Sequence, residues 1–553
     1  MSDRNSDTRD TPETGAWAPL QHPAFRSLWL AILVGNIGTW IHDVAAAWIM
    51  AETTGSPLMV AAVQSATTLP VVLLAIVAGT LADIVDRRRY LILAQLWMFL
   101  AAGTLAVLAQ LDMLGPWSLV LLTFALGCGA AMAMPAQQAT TPELVPKSLL
   151  GSAVALGSLS MNIARATGPA IGGLIVAQAG AAAAFAINAL TFLAIVFALW
   201  RWKRAPAASA LPPESFGLAL RAGLRYASQA SVLQAVLIRT GAFFAFASAL
   251  TALLPIVVRQ ELKASAGTYG LLLGCIGIGA ISGAVLLPRL HRRLDADRLF
   301  LLASLLYAGC IAGVALLRDL RALYPVCLVA GFAWISVLSS LQIAAQTAVP
   351  AWVRARALAL YIVVFSAGMA LGSLGWGTLA QRYSVLQALL VAAIGTALAA
   401  LLTQRWRLRD AARIDVTPSG HWAQPVVADD ALNTDRGPVL ITIEYHVVPA
   451  QRTAFLDVLR ELGRSRRRDG AITWGIAEDT ALPGSFLEYF SVASWLEHLR
   501  QHERVTNEER RLQESVLTLL EPGTQPLVRH FVGAAAEGLK ILAKPAHADG
   551  VLG

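Results

Sequence analysis

Over the first three quarters of the chain, apolar residues come in long continuous runs separated by short polar breaks. A helix crossing a bilayer needs about 20 mostly apolar residues, and twelve runs up to about Thr403 meet that need. The first six lie near Leu28–Ala51, Leu58–Ala82, Leu91–Leu111, Trp117–Pro135, Leu150–Ala177 and Ala181–Trp200. The second six lie near Leu233–Val258, Tyr269–Leu287, Leu299–Leu317, Leu323–Ala345, Leu358–Leu379 and Leu386–Thr403. Breaks such as Thr54-Gly55-Ser56-Pro57 and Gly115-Pro116 hold typical turn residues. Arg201–Ala230 is longer, basic and marked by proline, and reads as a linker between two sets of six, with Ser215–Tyr226 as a helix on the membrane surface.

After the twelfth run the pattern changes. Asp410–Asp435 is polar and without periodicity, as a linker is. Val439, Ile441, Ile443, Tyr445 and Val447 then alternate as a strand does, and Phe455, Val458, Leu459 and Leu462 fall on one helical face. Ile472, Trp474 and Ile476 alternate again, and Phe486 to Val492 forms another strand after the turn Pro483-Gly484. Trp495 to Leu520 reads as helix broken near Val505-Thr506, and Leu527 to Val532 as a last strand. The chain thus divides into an N-terminal tail (1–24), a six-helix half (25–202), a central linker (203–231), a second half (232–404), a linker (405–436), an α+β domain (437–535) and a C-terminal tail (536–553).

Composition supports a membrane protein. Of all residues 56% are hydrophobic and only 14% charged, against roughly a quarter charged in soluble domains. Neither a disordered chain nor a soluble enzyme with a single core fits. Roughly half of the charged residues lie in the last quarter of the chain, as a soluble tail on a membrane body requires. The net charge of +8 comes from basic residues clustered at the ends of apolar runs, which suits bilayer anchoring and not nucleic acid. With the N-terminus inside, the inner segments hold Arg87-Arg88-Arg89, Lys147, Arg201 to Arg204, Arg292-Arg293, Arg354, Arg356 and Arg405 to Arg413. This bias puts both termini in the cytoplasm. Met1 to Gln21 has no cleavable signal pattern, and Cys128, Cys275, Cys310 and Cys327 sit unpaired in apolar runs.

The two sets of six echo one another. Gly79 before Arg87-Arg88-Arg89 corresponds to Gly283 before His291-Arg292-Arg293, and Val145-Pro146 to Val349-Pro350, both at an offset of 204 residues. Parallel repeats of this kind enclose a solute site near the membrane midplane. The stretch Gly79-Thr80-Leu81-Ala82-Asp83-Ile84-Val85-Asp86-Arg87-Arg88-Arg89 closes the second run. Gly79 suits close approach of a neighbouring helix, and Asp83 with Arg87 and Arg88 suits a charged clasp at the inner face. The repeat lacks the carboxylate, since Leu287 stands in its place. This stretch resembles the signature loop between helices two and three of the major facilitator superfamily, and the resemblance covers about Phe25 to Thr403. It implies an all-α membrane fold of twelve helices in two six-helix halves that work by alternating access.

Ala164-Arg165-Ala166-Thr167-Gly168-Pro169-Ala170-Ile171-Gly172-Gly173 is similar to the Gly-Pro antiporter motif of that superfamily's exporters, with Ala164 where the first glycine usually falls. Gly168, Gly172 and Gly173 thin the helix for packing, and Pro169 weakens its backbone ladder. Phe25-Arg26-Ser27-Leu28-Trp29, Ala47-Trp48-Ile49-Met50 and Gly55-Ser56-Pro57 add a resemblance to the enterobactin-exporter-like branch. That branch implies proton-driven export of siderophore-like or other small amphipathic molecules across the bacterial cytoplasmic membrane. Alternatives are an importer or uniporter of the same fold, or a membrane-tethered enzyme acting through the tail.

Ionisable groups inside the runs are costly unless solvated or paired, so each is a candidate. His42 and Asp43 lie deep in the first run, Arg165 in the fifth and Arg239 near the start of the seventh. Asp43 is the first choice for proton coupling, with a structural pair to Arg165 as its alternative; His42 shares the proton or packs. Arg165 suits an anionic substrate, and Arg239 suits snorkelling to the inner interface. Asn36, Gln64, Asn162, Gln342 and Gln346 line the cavity or bond neighbouring helices, and Trp40 and Trp48 suit an aromatic solute or a head-group belt.

In the tail, the order strand–helix–strand–strand–helix–strand is that of the ferredoxin-like split unit. Phe486-Leu487-Glu488-Tyr489-Phe490 and Ser494-Trp495-Leu496-Glu497-His498 make about Gly437 to Gly533 similar to the antibiotic-biosynthesis monooxygenase-like family. That resemblance implies a small barrel that binds aromatic compounds or haem. His498 and His502, four residues apart, are read as solvated surface histidines, and the mixed charges of Arg504–Arg511 as a solvated face. No metal or other cofactor is expected. The tail is read as regulatory or dimerising, and the whole as a transporter and not an enzyme, with lipid, solute and protons as its partners.

Overall fold

The computed structural model describes residues 15–202, 225–408, 415, 417, 419–422 and 436–533. The expected surface helix Ser215–Tyr226 lies almost wholly outside them. The chain forms two compact units: one of Met1–Leu211, Leu237–Gln342 and Ala359–Trp406, the other of Pro212–Val236, Ile343–Leu358 and Arg407–Gly553.

The apolar runs fold into helices α1 (Pro23–Thr54), α2 (Pro57–Ile84), α3 (Arg87–Gln110), α4 (Pro116–Leu144) and α5 (Leu150–Arg201), then α6 (Ser231–Ile256), α7 (Ala266–Arg293), α8 (Ala296–Leu316), α9 (Leu320–Thr347), α10 (Ala351–Arg382) and α11 (Val385–Leu402). Among the described residues, eleven helices are long and apolar enough to cross a membrane. The turns follow the punctuation of the sequence. Ser56 caps α2 through its hydroxyl, Pro57 and Pro116 open their helices, and Gly55 ends α1 at φ 59°. The 52-residue α5 is broken at Gly180, whose φ of 80° and ψ of 171° a residue with a Cβ rarely adopts. The fifth and sixth runs, expected as separate elements, therefore meet at one residue without a loop.

The surface of the bundle carries many exposed apolar side chains. Leu93, Leu100, Leu121, Leu190 and Leu371 are each more than 60% exposed, which is stable where the surroundings are hydrocarbon. Small residues hold the interior instead. Gly279 and Gly331 let α7 and α9 touch backbone to backbone: a Cβ on Gly279 would overlap the Leu328 carbonyl oxygen, and one on Gly331 the Ile276 carbonyl oxygen. Cys310 and Cys327 are buried and all four thiols are free.

The second unit contains a four-stranded antiparallel sheet of β1 (Val439–His446), β2 (Thr473–Glu478), β3 (Ser485–Val492) and β4 (Leu527–Val532), ordered β2-β3-β1-β4. Helices α12 (Arg452–Arg468), α13 (Trp495–Arg504) and α14 (Asn507–Leu517) complete it. Strand alternation sends Val439, Ile441, Ile443 and Tyr445 inward, with Phe486, Phe490 and Val492 beside them, against Phe455, Leu459 and Leu462 of α12. The helix break expected at Val505-Thr506 is present. Thr506 and Glu509 form a reciprocal capping box there that starts α14.

Candidate functional site

In the membrane unit, α5 is wedged between α1 and α7. Its glycines explain how. A Cβ on Gly168 would lie 2.5 Å from Trp40 Cβ, and one on Gly172 2.9 Å from Ile41 Cα. One on Gly173 would lie 2.7 Å from Gly270 Cα, on the opposite half of the chain. Pro169 carries on the same contact, since its carbonyl oxygen would lie 2.6 Å from a Cβ on Gly270. Lower down, Gly277 admits the backbone of Arg165 and Ala166 at 2.6 Å.

The same end of the bundle is laced by polar contacts between the halves. Ser56 donates to Gln381 at 2.8 Å, Gln260 donates to the Gly55 carbonyl at 2.7 Å, and Ser65 donates to the Ala370 carbonyl at 2.7 Å. Arg259 stands 3.8 Å from Glu52, and Trp48 stacks on Tyr269 at 6.2 Å between ring centres. Gly377 brings α10 against Pro57, Leu58 and Ala61. This end, the one bearing the α1–α2 turn, is closed.

At the other end the expected clasp takes a different form. Gly79 has nothing within 4 Å of where a Cβ would stand, so it is not a close-approach residue in this state. The side chain of Asp83 lies outside the described residues. Arg87 pairs with Glu143 at 2.7 Å and donates to the Ala139 carbonyl of α4. Arg88 donates to the carbonyls of Leu199 and Trp200, capping the last turn of α5, where the helix dipole favours a cation.

The intramembrane candidates separate into distinct environments. His42 is 3% exposed, and its ring lies 5.1 Å from that of Phe185. Asp43 is half-buried, within electrostatic reach of Tyr269 of α7. No ion pair joins Asp43 to Arg165 among the described residues, so the pairing alternative fails in this state. Arg165 has a buried Nη1 without a partner. Arg239 does not snorkel: it is fully buried, pairs with Asp297 at 2.7 Å, donates to the Thr403 carbonyl and lies 4.9 Å from the Phe300 ring centre. Asn36 donates to Ser160 Oγ at 3.4 Å, joining α1 to α5. Gln64 and Asn162 are half-buried, and Gln342 and Gln346 exposed.

The second unit holds a cavity of about 760 Å³ between the inner face of the sheet and its helices. His498 and His502 of α13 and His530 of β4 meet on its wall, each offering a ring nitrogen within 4.8 Å of the others. The reading of His498 and His502 as solvated is wrong. His498 is 1% exposed, because α13 turns that face onto the sheet. Register explains the third member: His530 pairs with Ile441, whose side chain points inward, so His530 points inward too. Burial, with the neighbouring imidazoles and Arg466, pushes His498 down to about 3 and His502 to about 4. Burial lowers His530 also.

Charged residues support this wall. Glu488, fully buried on β3, accepts from Tyr445 and from Trp474, both at 2.9 Å, and pairs with Arg466 at 3.4 Å. Arg466 lies under the rings of Trp422 and Phe490. Trp422 comes from the stretch read as a featureless linker. It is set in place by Gln513, which accepts from Trp422 and from His421, while Ser419 and Thr417 bond the backbone around α14. The face read as solvated in Arg504–Arg511 is partly interior: Arg504 pairs with Glu497 at 2.7 Å and lies 4.3 Å from the Trp352 ring centre, and Glu509, 3% exposed, pairs with Arg468.

Comparison with known proteins places this geometry. A family described as transmembrane secretion effector, of the MFS type, matches residues 14–538. The enterobactin exporter EntS of Escherichia coli is 29% identical over 58% of this chain and 76% of its own length. The staphyloferrin A transporter of Staphylococcus aureus is 26% identical over 50% and 70%. The multidrug efflux pump Tap of Mycolicibacterium fortuitum is 25% identical over 62% and 85%. Among solved structures, a bacterial homologue of the lysosomal transporter Spinster matches with a TM-score of 0.56 at 14% identity, over 71% of this chain and 97% of that one. The nucleoside transporter NupG matches with a TM-score of 0.57 at 13% identity, over 69% and 99%.

Proposed function

Since the chain belongs to the transmembrane secretion effector family of MFS transporters, we propose that it exports small amphipathic molecules, siderophore-like or drug-like, across the bacterial cytoplasmic membrane by proton-coupled alternating access. The observation that carries this reading is the one-ended closure of the bundle. Hydrogen bonds and glycine contacts seal the halves at the α1–α2 turn, while at the other end a Cβ on Gly79 would meet nothing within 4 Å. A carrier caught with one gate shut has this form. The relatives that export enterobactin and pump drugs support the outward direction.

In this reading the helices make twelve crossings, with α5 counted as two on either side of Gly180. Both termini are cytoplasmic, so the sealed end faces outward and the solute enters from the cytoplasm. Asp43 takes the proton, assisted by His42, because it lies next to the α1–α7 contact that must part for release. Arg165, whose Nη1 lacks a partner, receives an anionic group of the solute. Asn36, Gln64, Asn162, Gln342 and Gln346 line the route, and Arg239 serves as a structural brace. The tail is a ferredoxin-like domain, and its outward-facing Leu440, Leu487 and Phe531, each more than a third exposed, support pairing of two tails.

Efflux from proteoliposomes under an imposed pH gradient tests the proposal, across a panel of siderophores and hydrophobic drugs. Proton-driven efflux of at least one compound is expected, with Asp43→Asn at least tenfold slower. Uptake against the gradient, or equal rates in wild type and Asp43→Asn, would remove export or Asp43 respectively.

A further inference from the structure

We propose that His498, His502 and His530 bind one divalent first-row transition metal ion, with an open coordination position facing the tail cavity. The geometry is already close to a coordination sphere. A tetrahedral ion with metal–nitrogen bonds of about 2.0–2.1 Å holds its nitrogens roughly 3.3 Å apart. His502 Nε2 and His498 Nε2 stand 3.2 Å apart, and the third ring nitrogen lies within 4.8 Å of both. Rotation of the His530 ring closes the remaining gap. The three residues come from two elements: i and i+4 of α13 supply one edge of the site, and an inward position of β4 supplies the third corner.

The chemistry selects the ion. Three imidazoles and no carboxylate suit zinc, cobalt, nickel, copper or ferrous iron, and not magnesium or calcium. The Nε2 atoms of His498 and His502 face one another, which leaves their buried Nδ1 atoms on the far side of each ring and the Nε2 edge free to face the ion. Trp422 packs edge to face on His502 and Trp495 edge to face on His530, and the Trp495 ring is tilted against His498. Three ligands leave a tetrahedral ion one free position. That position adjoins the 760 Å³ cavity, where Arg466 adds positive charge. A small molecule with an anionic oxygen donor is the class of ligand that would complete the sphere.

The test uses the purified full chain in detergent with any polyhistidine tag removed. Titration with zinc in competition with a chromophoric chelator should give one site per chain, and cobalt should give the intense visible absorption of a four-coordinate ion. His502→Ala and His530→Ala should each weaken zinc at least tenfold, while His446→Ala should leave it unchanged. X-ray absorption on zinc-loaded wild type needs no variant, and should show three imidazoles around the ion. Absence of stoichiometric binding for zinc, cobalt, nickel, copper and ferrous iron would overturn the proposal. So would zinc held with fewer than two imidazoles, or affinity unaltered in both variants.

Discussion

At the scale of single residues, the membrane unit depends on side chains that are absent as much as on those present. Gly173 and Gly270 bring two backbones together at a distance that no Cβ permits. Gly173→Val is therefore expected to part α5 from α7 at the sealed end. A cysteine placed at Ser56 should then react faster with a membrane-impermeant thiol reagent, and transport should fall. Unchanged labelling in folded protein would show that the contact does not hold the gate. Arg239 makes the opposite point. Removing the counter-charge of a buried ion pair costs about 3–5 kcal/mol, so Asp297→Asn should lower the thermal unfolding temperature clearly. Arg239→Met combined with Asp297→Leu should recover most of the loss. That pair was illegible beforehand, because Asp297 reads as an ordinary first-turn residue of α8, and only the fold brings it to Arg239.

At the scale of elements, the helices and strands follow local pattern closely. Apart from α5, which takes in two apolar runs, each membrane helix coincides with one run, and each strand of the tail with a segment read as a strand. The site in the tail was legible only in part. His498 and His502 shared a helical face in the sequence, but their burial depends on the sheet they meet. His530 carried a usable signal: it is a polar residue at an inward position between Val528 and Val532. The His cluster also sets a pH dependence for the metal-free tail. The folded state holds His498 and His502 near 3 and 4, below the ordinary histidine value of about 6.5. Arg466 of α12, His530 of β4 and His421 face them, with Glu488 beyond Arg466. Below pH 6.5 the unfolded chain binds protons that the folded one refuses. The contribution of these two histidines to stability should thus be constant above that pH and fall steadily as pH drops from 6.5 towards 3. Unfolding of the tail followed by tryptophan fluorescence across this range checks the sign. A flat profile would mean that the histidines are solvated after all.

At the scale of the whole molecule, the transport cycle requires the closed end to open. The polar links across it, Ser56–Gln381 and Gln260–Gly55, are few and individually weak, about 0.5–1.5 kcal/mol each. That suits a gate that must break in each cycle. Gln381→Ala with Gln260→Ala should shift the population towards the opened end, which spin-label distances between α1 and α10 would report as a longer component. If the distance distribution is unchanged, the glycine contacts alone hold the closure. Exchanging Leu440 and Leu487 for glutamate should leave transport intact and abolish any dimer seen by light scattering, if the tails pair through their sheets.

Membership of a bundle of apolar helices, the turn positions and the succession of strands and helices in the tail were all written in the chain itself. Periodicity and solvent preference act on neighbours a few residues apart. Three matters depended on the tertiary structure: which end of the bundle is shut, which charged residues find partners, and whether a histidine faces water or another histidine. Each is a relation between residues distant in the chain, set by how whole elements pack, and no local pattern encodes that packing.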